Sequence, residues 1–574
     1  MTFVASAVTG RGAADSLQAF CRARIEAGEV QFVRHGAMAA AWSADCRWID
    51  THDDGDVLTV LDGRVHDLAP DGQAKLLLGR YREHGLDVAV DLLGDFVVIV
   101  LDRAAGSLLV ARDPVGVRPW YLAADGRLHA GASDLATLTA FPWVDTEVNE
   151  RIAIEYLGAV FQSRGETLYQ GIHTLRPGMT WYHDGTRAST IEHHRWQLRP
   201  ELDVSWDAAA DRCRAVLDEV VRDRLAVSGP PTSHVSGGLD SSSVAGTVAL
   251  LGYRDLAVGR LLFDGPRADE REFSDAVIQH WEVPAFSAPP WIPTEEELWD
   301  LTRKLRRPPP DPHFLMFSRL HQDLLAAGRP DGLTGLGGDD AFVASSVGSR
   351  FTSSIRLRQG TVLGQIAPWA VRHPRQAWPQ LVRPTLHHLA WWKGGPHPFW
   401  VSPAAAKTAD LHSLLRSRPA KVTNVAAIDE RFANFTCGYD ASIQEAQAVL
   451  GDLAGRRDSH PFLDPRFVTA TYGLDPWWPI RGGHSRAFQI AAFGERLPRL
   501  VAERRSKADF SEIFWPQVLR DHILEQVRSG PLRALGWLDL EGFNSLVANA
   551  KEGKANAAIP LSRCVWLDRW MRLQ

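Results

Sequence analysis

Between residues 91 and 133, apolar and β-branched side chains come in short runs, FVVIVL, LLVA and WYLA among them, separated by Gly106, Gly116 and Gly126. Runs of that length between glycine turns predict antiparallel strands joined as hairpins, and such meanders bury their apolar faces by stacking into a sandwich. Residues 1–195 therefore read as a strand-rich domain. A polar, Pro-containing stretch, HHRWQLRPELDVSWD (193–207), reads as a linker. The period then changes. DAAADRCRAVLDEVVRDRLA (207–226) carries apolar positions at helical spacing. TSHVSGGLDSSSVAGTVALLG (232–252) reads as strand, glycine loop and helix, AVGRLLFDG (257–265) as a strand and REFSDAVIQHWE (271–282) as a helix. Strands alternating with helices predict a parallel sheet with right-handed crossovers. The rest, to Gln574, reads as mostly helical, so the second domain is 206–574. Pro- and Trp-rich interruptions fall around 365–405, and RRPPPDP (306–312) reads as a stiff loop.

Composition narrows the classes. With 45% hydrophobic and 23% charged residues, the 574-residue chain has the balance of a water-soluble globular protein. A formal net charge of -6 argues against a nucleic-acid partner. No run of about 18 apolar residues is present, and the N-terminus lacks the basic start and apolar core of a secretory signal. Cys21, Cys46, Cys213, Cys437 and Cys564 are scattered without a CxxC pair, which argues against structural zinc and against a disulfide framework. The expectation is a cytoplasmic protein with reduced thiols and no membrane partner. The 21 tryptophans, many between Trp369 and Trp400, serve core packing or line an aromatic groove for a bulky substrate.

The chemistry concentrates in VSGGLDSSSVAG (235–246). Glycines permit unusual backbone conformations and close ligand approach. A loop entering a helix offers unpaired N–H groups and the positive end of the helix dipole, and Ser236, Ser241 and Ser242 add hydroxyls. This is an anion cradle, and it lacks the lysine of a Walker A loop. A carboxylate there, Asp240, makes sense when Mg²⁺ bridges it to phosphate oxygens. LTGLGGDDAF (333–342) also follows an apolar run and ends in Asp339 and Asp340. In a parallel sheet both loops emerge at the C-terminal edge, so Asp240 and Asp339 face one metal from two sides.

SGGLDSS (236–242) is similar to the pyrophosphate loop of the adenylating ATP pyrophosphatases, and its pairing with GLGGDD (335–340) resembles the synthetase domain of the asparagine synthetase family. That family's second motif usually reads Gly-x-Gly-Ser-Asp-Glu, so Gly338 and Asp340 are conservative departures. HPFLDPRFV (460–468) and GERLPRLVAERRSKADFSE (494–512) extend the resemblance over most of 206–515. It implies ATP binding by Ser236, Gly237, Gly238, Asp240, Ser241, Ser242, Gly337 and Gly338, and Mg²⁺ binding by Asp240 and Asp339. Lys507 matches the family lysine that stabilises charge as an acyl adenylate is attacked; a fixed cation near that oxyanion lowers the barrier.

The first domain resembles the Ntn-type glutamine amidotransferase half of the same family, including RDPVGVRPWY (112–121). The family starts Met-Cys, whereas Thr2 stands here, and Asp62-Gly63-Arg64 replaces its Asn-Gly-Glu stretch. The resemblance therefore implies an α+β, degenerate Ntn-type glutaminase sandwich serving as scaffold, followed by an α/β parallel-sheet synthetase domain with a helical C-terminal part. Family members without the cysteine include β-lactam synthetases and lasso peptide cyclases. HPFWVSPAAAKTADL (397–411), SHPFLDPRFV (459–468) and ERRSKADFSEIFW (503–515) look most like the cyclases. The implied reaction adenylates an Asp or Glu side chain of a core peptide, and the peptide's N-terminal amine closes a macrolactam, with AMP and pyrophosphate released. Intramolecular attack is favoured when the fold holds both ends together. A leader peptidase and a leader-peptide recognition protein are the implied partners. Arg457 stands where asparagine synthetases place a glutamate, and His460 reads as a structural histidine ahead of a base. The alternatives are a ligase acting on a small amino acid and a nucleotide-binding scaffold; a tRNA-thiolating relative fits neither the cysteines nor the charge.

Overall fold

The computed structural model describes every residue except 1–5, 161–162, 164, 266, 310–314, 343–397, 417–421, 424, 437, 480–485, 505–507, 509–517 and 555–556. Twelve strands build the N-terminal region. They are β1 (Ser6–Thr9), β2 (Val30–His35), β3 (Met38–Ser43), β4 (Ile49–Asp53), β5 (Val57–Val65), β6 (Gly94–Asp102), β7 (Ser107–Arg112), β8 (Tyr121–Asp125), β9 (Leu128–Ala132), β10 (Ile172–Thr174), β11 (Met179–His183) and β12 (Ala188–Glu192). They form two antiparallel six-stranded sheets, ordered β10-β8-β9-β1-β3-β2 and β12-β11-β7-β6-β5-β4. The sheets meet face to face through Trp42, Val60, Ile99, Val110 and Trp120.

The outer faces are covered by helices that the hairpin pattern did not place. Helix α1 (Arg11–Glu26) packs on the first sheet through Ala13, Leu17 and Cys21. Helix α2 (Gln73–His84) packs on the second through Leu77 and Leu78. This explains β6: its FVVIVL run has no alternation because one face meets the opposing sheet and the other meets α2. Further on, α3 (Glu150–Leu157) shares a core with the C-terminal helices, where Ile154 and Leu157 cluster with Leu561 and Trp566.

The segment read as a linker is packed. His193 and Leu198 are buried, and the Trp196 ring lies 5.7 Å from Phe432 and 5.5 Å from Phe435. The polar residues between them gave a loop signal, but the interspersed rings and leucine find an apolar groove. Helix α4 (Trp206–Ala226) follows, capped by Ser205, whose hydroxyl accepts from the Ala208 amide at 3.2 Å.

A five-stranded parallel sheet comes next: β13 (Thr232–His234), β14 (Ala257–Leu261), β15 (Ala285–Ala288), β16 (Asp331–Leu333) and β17 (Arg457–Ser459). Its order is β15-β14-β13-β16-β17. The chain builds outward from β13 on one side and then returns to build from β16 on the other. The point of reversal, between β13 and β16, leaves a crevice at the strands' C-terminal ends. Helices α5 (Leu239–Leu250), α6 (Arg271–Trp281), α7 (Ser318–Ala326), α8 (Gly338–Phe342), α9 (Ala487–Phe493) and α10 (Ala558–Met571) surround the sheet or complete the C-terminal half. Among the described residues, no helix is long and apolar enough to cross a membrane.

Candidate active site

The two glycine loops leave adjacent strands at this crevice and touch. Gly237 has φ +82, and a Cβ there would meet the Phe273 Cβ at 2.5 Å, so only glycine fits. Gly338 lies so close to Asp240 that a Cβ would stand 2.2 Å from its Oδ1. A Cβ on Gly335 would stand 2.5 Å from the Ser241 amide. The missing side chains are what bring 335–338 against the start of α5.

The loop before α5 is pre-shaped by its serines. The Ser236 amide donates to Ser241 Oγ at 3.2 Å, and the Gly238 amide donates to Ser236 Oγ at 3.2 Å. Gly238 is the extended N-cap of α5, so the first-turn amides at 239–241 lack intrahelical acceptors. Ser236 is exposed there. Ser242, expected on the same cradle, is instead fully buried, since its position in the helical turn faces the core.

Among the described residues, Arg486 bridges two of three neighbouring carboxylates. Arg486, just before α9, donates from Nη1 to Asp240 Oδ1 at 2.9 Å and from Nη2 to Asp240 Oδ2 at 3.2 Å. Its Nη2 also donates to Asp339 Oδ1. Gln489 Nε2 adds a bond to Asp240 Oδ1 at 2.8 Å. Burial raises the Asp240 carboxyl above its ordinary range, Arg486 opposes the shift, and Asp339 adds to it. Asp340 is pushed up to about 6 by burial and by the charges of Asp339 and Asp240. Clustered hard oxygen donors are the donor set that suits Mg²⁺, and the mutual repulsion of the carboxylates is what a divalent ion would relieve. Arg486 and Gln489 escaped sequence reading because the SRAFQ stretch has no motif; the fold brings them across 246 and 249 residues to Asp240.

Lys507 lies outside the described residues. Its neighbour Arg504 is placed: Nη1 donates to the Gly237 carbonyl at 3.2 Å, Nη2 pairs with Glu270 at 2.6 Å, and the guanidinium stacks over Phe273 at 4.1 Å. Arg504 thus reaches the glycine loop. His460 is fully enclosed, its Nδ1 2.8 Å from Thr334 Oγ1, and burial holds its imidazole down at about 4, so it is neutral and structural.

The Arg457 and Asp62 positions meet at the boundary between the two halves. Arg457 pairs with Asp62 at 2.8 Å and with Asp452 at 2.8 Å, while Arg118 pairs with Asp62 at 3.1 Å and with Asp452 at 2.7 Å. Two arginines and two aspartates close a buried ring, and Trp48 stacks on Arg457 at 4.7 Å. Gly63, beside Asp62, has φ +121, and a Cβ would stand 2.0 Å from the Asp95 carbonyl oxygen, so that corner is fixed by backbone contact. Thr2 lies outside the described residues, as does most of the tryptophan-rich 369–400 segment. A cavity of about 370 Å³ also opens between the halves, lined by Arg112, Tyr121, Trp196, Arg307, Phe432 and Glu445 among others.

Comparison with known proteins gives two domain matches. The glutamine amidotransferase domain matches residues 56–196, and the asparagine synthase description matches 212–448 and 452–572. A putative glutamine-hydrolyzing asparagine synthetase of Mycobacterium tuberculosis is 28% identical over 187 residues, covering 31% of this chain and 28% of that protein. Glutamine-hydrolyzing asparagine synthetase 3 of Bacillus subtilis is 26% identical over 198 residues, covering 34% of this chain and 32% of that protein. The aligned segments thus span less than a third of these relatives' length. Among solved structures, the glutamine phosphoribosylpyrophosphate amidotransferase of B. subtilis, complexed with ADP and GMP, is similar at TM-score 0.25 and 9% identity, over 58% of this chain and 81% of that one. That likeness is too slight to bear on the fold. The asparagine synthase match takes in more than half of the chain, both glycine loops and the acid cluster included, and the protein belongs to the asparagine synthase family.

Proposed function

We propose that the protein is an ATP-dependent, AMP-forming carbon–nitrogen ligase that closes a macrolactam within a peptide, as a lasso peptide cyclase does. One observation carries the ligase reading: an amide-rich helix start and three carboxylates converge at the switch point of a parallel sheet. The α5 amides, with Ser236 and Ser241, grip the triphosphate; Asp240 and Asp339 hold Mg²⁺, which when bound neutralises phosphate charge. Arg486, beside Asp240 and Asp339, would offer the phosphates a second cation. Lys507 meets the oxyanion formed when the amine attacks the acyl adenylate.

Two features support an amine that arrives with the substrate. Asp62, in the stretch where the family binds glutamine, is consumed by two arginines. Arg457, in place of a glutamate, is tied into the same ring and offers no base. The N-terminal half then acts as scaffold, and the ring-forming amine loses its proton to solvent or to the peptide. The aromatic-lined cavity offers room for peptide side chains that a small amino acid would not fill.

The test is pyrophosphate exchange into ATP by purified protein. A precursor core peptide with a free N-terminal amine and an acid several residues on should drive exchange, AMP release and a product one water lighter; aspartate should not. Exchange driven by a small amino acid alone would replace the peptide reading, and ADP with orthophosphate would overturn the adenylation step. Nucleotide binding without turnover for any acid would leave a scaffold.

A further inference from the structure

A second constellation lies in the same sheet, away from the acid cluster. His234 ends β13, Asp458 is the central residue of β17, and His321 sits on α7. We infer that these three side chains form a binding site for a first-row divalent cation such as Zn²⁺. Asp458 Oδ2 lies 3.3 Å from His234 Nε2 and 3.3 Å from His321 Nε2. All three donor atoms fall within 4.8 Å of one another. Two donors 3.3 Å apart, each about 2.1 Å from a shared ion, subtend about 104°, close to a tetrahedral angle. Two imidazoles with one carboxylate is a donor set that zinc and its neighbours take, with a remaining position for water.

The surroundings are arranged as such a site requires. His321 Nε2 is buried and has no aligned hydrogen-bond partner, although it faces the carboxylate. Side-chain exposure is 12% for both histidines and for Asp458, so the group is enclosed but reachable. Phe317 fixes the two rings, its centroid 5.1 Å from His234 and 6.0 Å from His321. Arg456 Nη1 donates to the other oxygen, Asp458 Oδ1, an outer partner that orients a ligating carboxylate. Gly332 makes this possible: a Cβ there would stand 2.4 Å from Asp458 Oδ1 and 2.2 Å from Arg456 Nη2.

Arg456 is also the competitor, because its Nη1 lies 3.4 Å from His234 Nε2. An entering ion takes over that lone pair, while Arg456 keeps its bonds to the Asp331 carbonyl at 3.2 Å and the Arg329 carbonyl at 3.3 Å. The ion would tie α7 and β17 to β13 two residues before Ser236, and so would brace the base of the glycine loop. The inference does not depend on the ligase reading.

The experiment uses the full chain, stripped with chelator and desalted, without nucleotide or Mg²⁺. Zn²⁺ is titrated against a chromophoric chelator, metal content is read by elemental analysis, and Co²⁺ reports coordination geometry in the visible spectrum. The expected result is one Zn²⁺ per chain, a zinc-dependent rise in Tm, and binding at least about tenfold weaker in His321→Ala and Asp458→Asn. Asp339→Ala, at the other cluster, should bind Zn²⁺ at this site as the parent does. His321→Gln, which retains bulk and polarity, serves if His321→Ala does not fold. A parent protein that takes up no stoichiometric zinc, or affinity unchanged in both His321→Gln and Asp458→Asn, overturns the site.

Discussion

Two aspartate–arginine clusters in this chain use the same groups to opposite ends. At the boundary between the halves, Asp62, Arg118, Asp452 and Arg457 alternate in a closed ring with equal charges of each sign. Asp62 is fully buried there, and Arg118 nearly so. At the crevice, Arg486 pairs with Asp240 and Asp339, and Asp339 has half of its side chain in solvent. A charge-balanced ring sealed from solvent is out of reach of an incoming ion, so its role is to hold. A partly open cluster of carboxylate oxygens is a donor set suited to a cation. Access from solvent, rather than the identity of the groups, separates scaffold from site.

That contrast breaks most sharply at Asp240. Asp240→Ala should lower peptide-driven AMP formation by about a thousandfold or more, with Tm close to that of the parent. Exchange kinetics and thermal unfolding on one preparation check both halves of this expectation. The reverse holds for the ring: Arg457→Ala leaves Asp62 and Asp452 short of a partner and should cost about 3–5 kcal/mol, read as a lower urea midpoint, while turnover per folded molecule persists. If turnover collapses with stability intact, Arg457 belongs to the chemistry and the comparison is wrong.

Gly338→Ala sharpens the crevice side. The added methyl meets Asp240 Oδ1 at 2.2 Å, so the two loops must part; about 1–3 kcal/mol of stability and much of the exchange activity should be lost. The smallest effect is on pH. His66, His193 and His460 are each held down at about 4 by burial, against 6.5 when exposed. As pH falls the unfolded chain takes up those protons first, so stability is full above 6.5 and is lost toward 4. Each histidine should cost about 1 kcal/mol at about pH 5.5, and His193→Gln should flatten the fall in Tm by its share.

Much of this was legible in the chain. The strand, glycine loop and helix at 232–252 appear as β13 and α5, and AVGRLLFDG and REFSDAVIQHWE as β14 and α6. Helix α4 follows from the 3.6 period of its buried face, Ala210, Cys213, Leu217 and Val221. In contrast, β16 and β17 have three residues each, too few for any period to register. Helices α1 and α2 were hidden inside a region whose glycine punctuation suggested hairpins throughout.

Sequence alone determined the two glycine loops, their carboxylates and the order of strands and helices around them, because these depend on local backbone freedom and on periods of a few residues. Tertiary structure alone decided that Arg486 and Gln489 complete the acid cluster, that Ser242 faces the core, and that Arg457 seals Asp62. Those pairings join residues hundreds of positions apart. Coulomb attraction and close packing act through space, and no spacing along the chain records which distant partner a folded backbone will deliver.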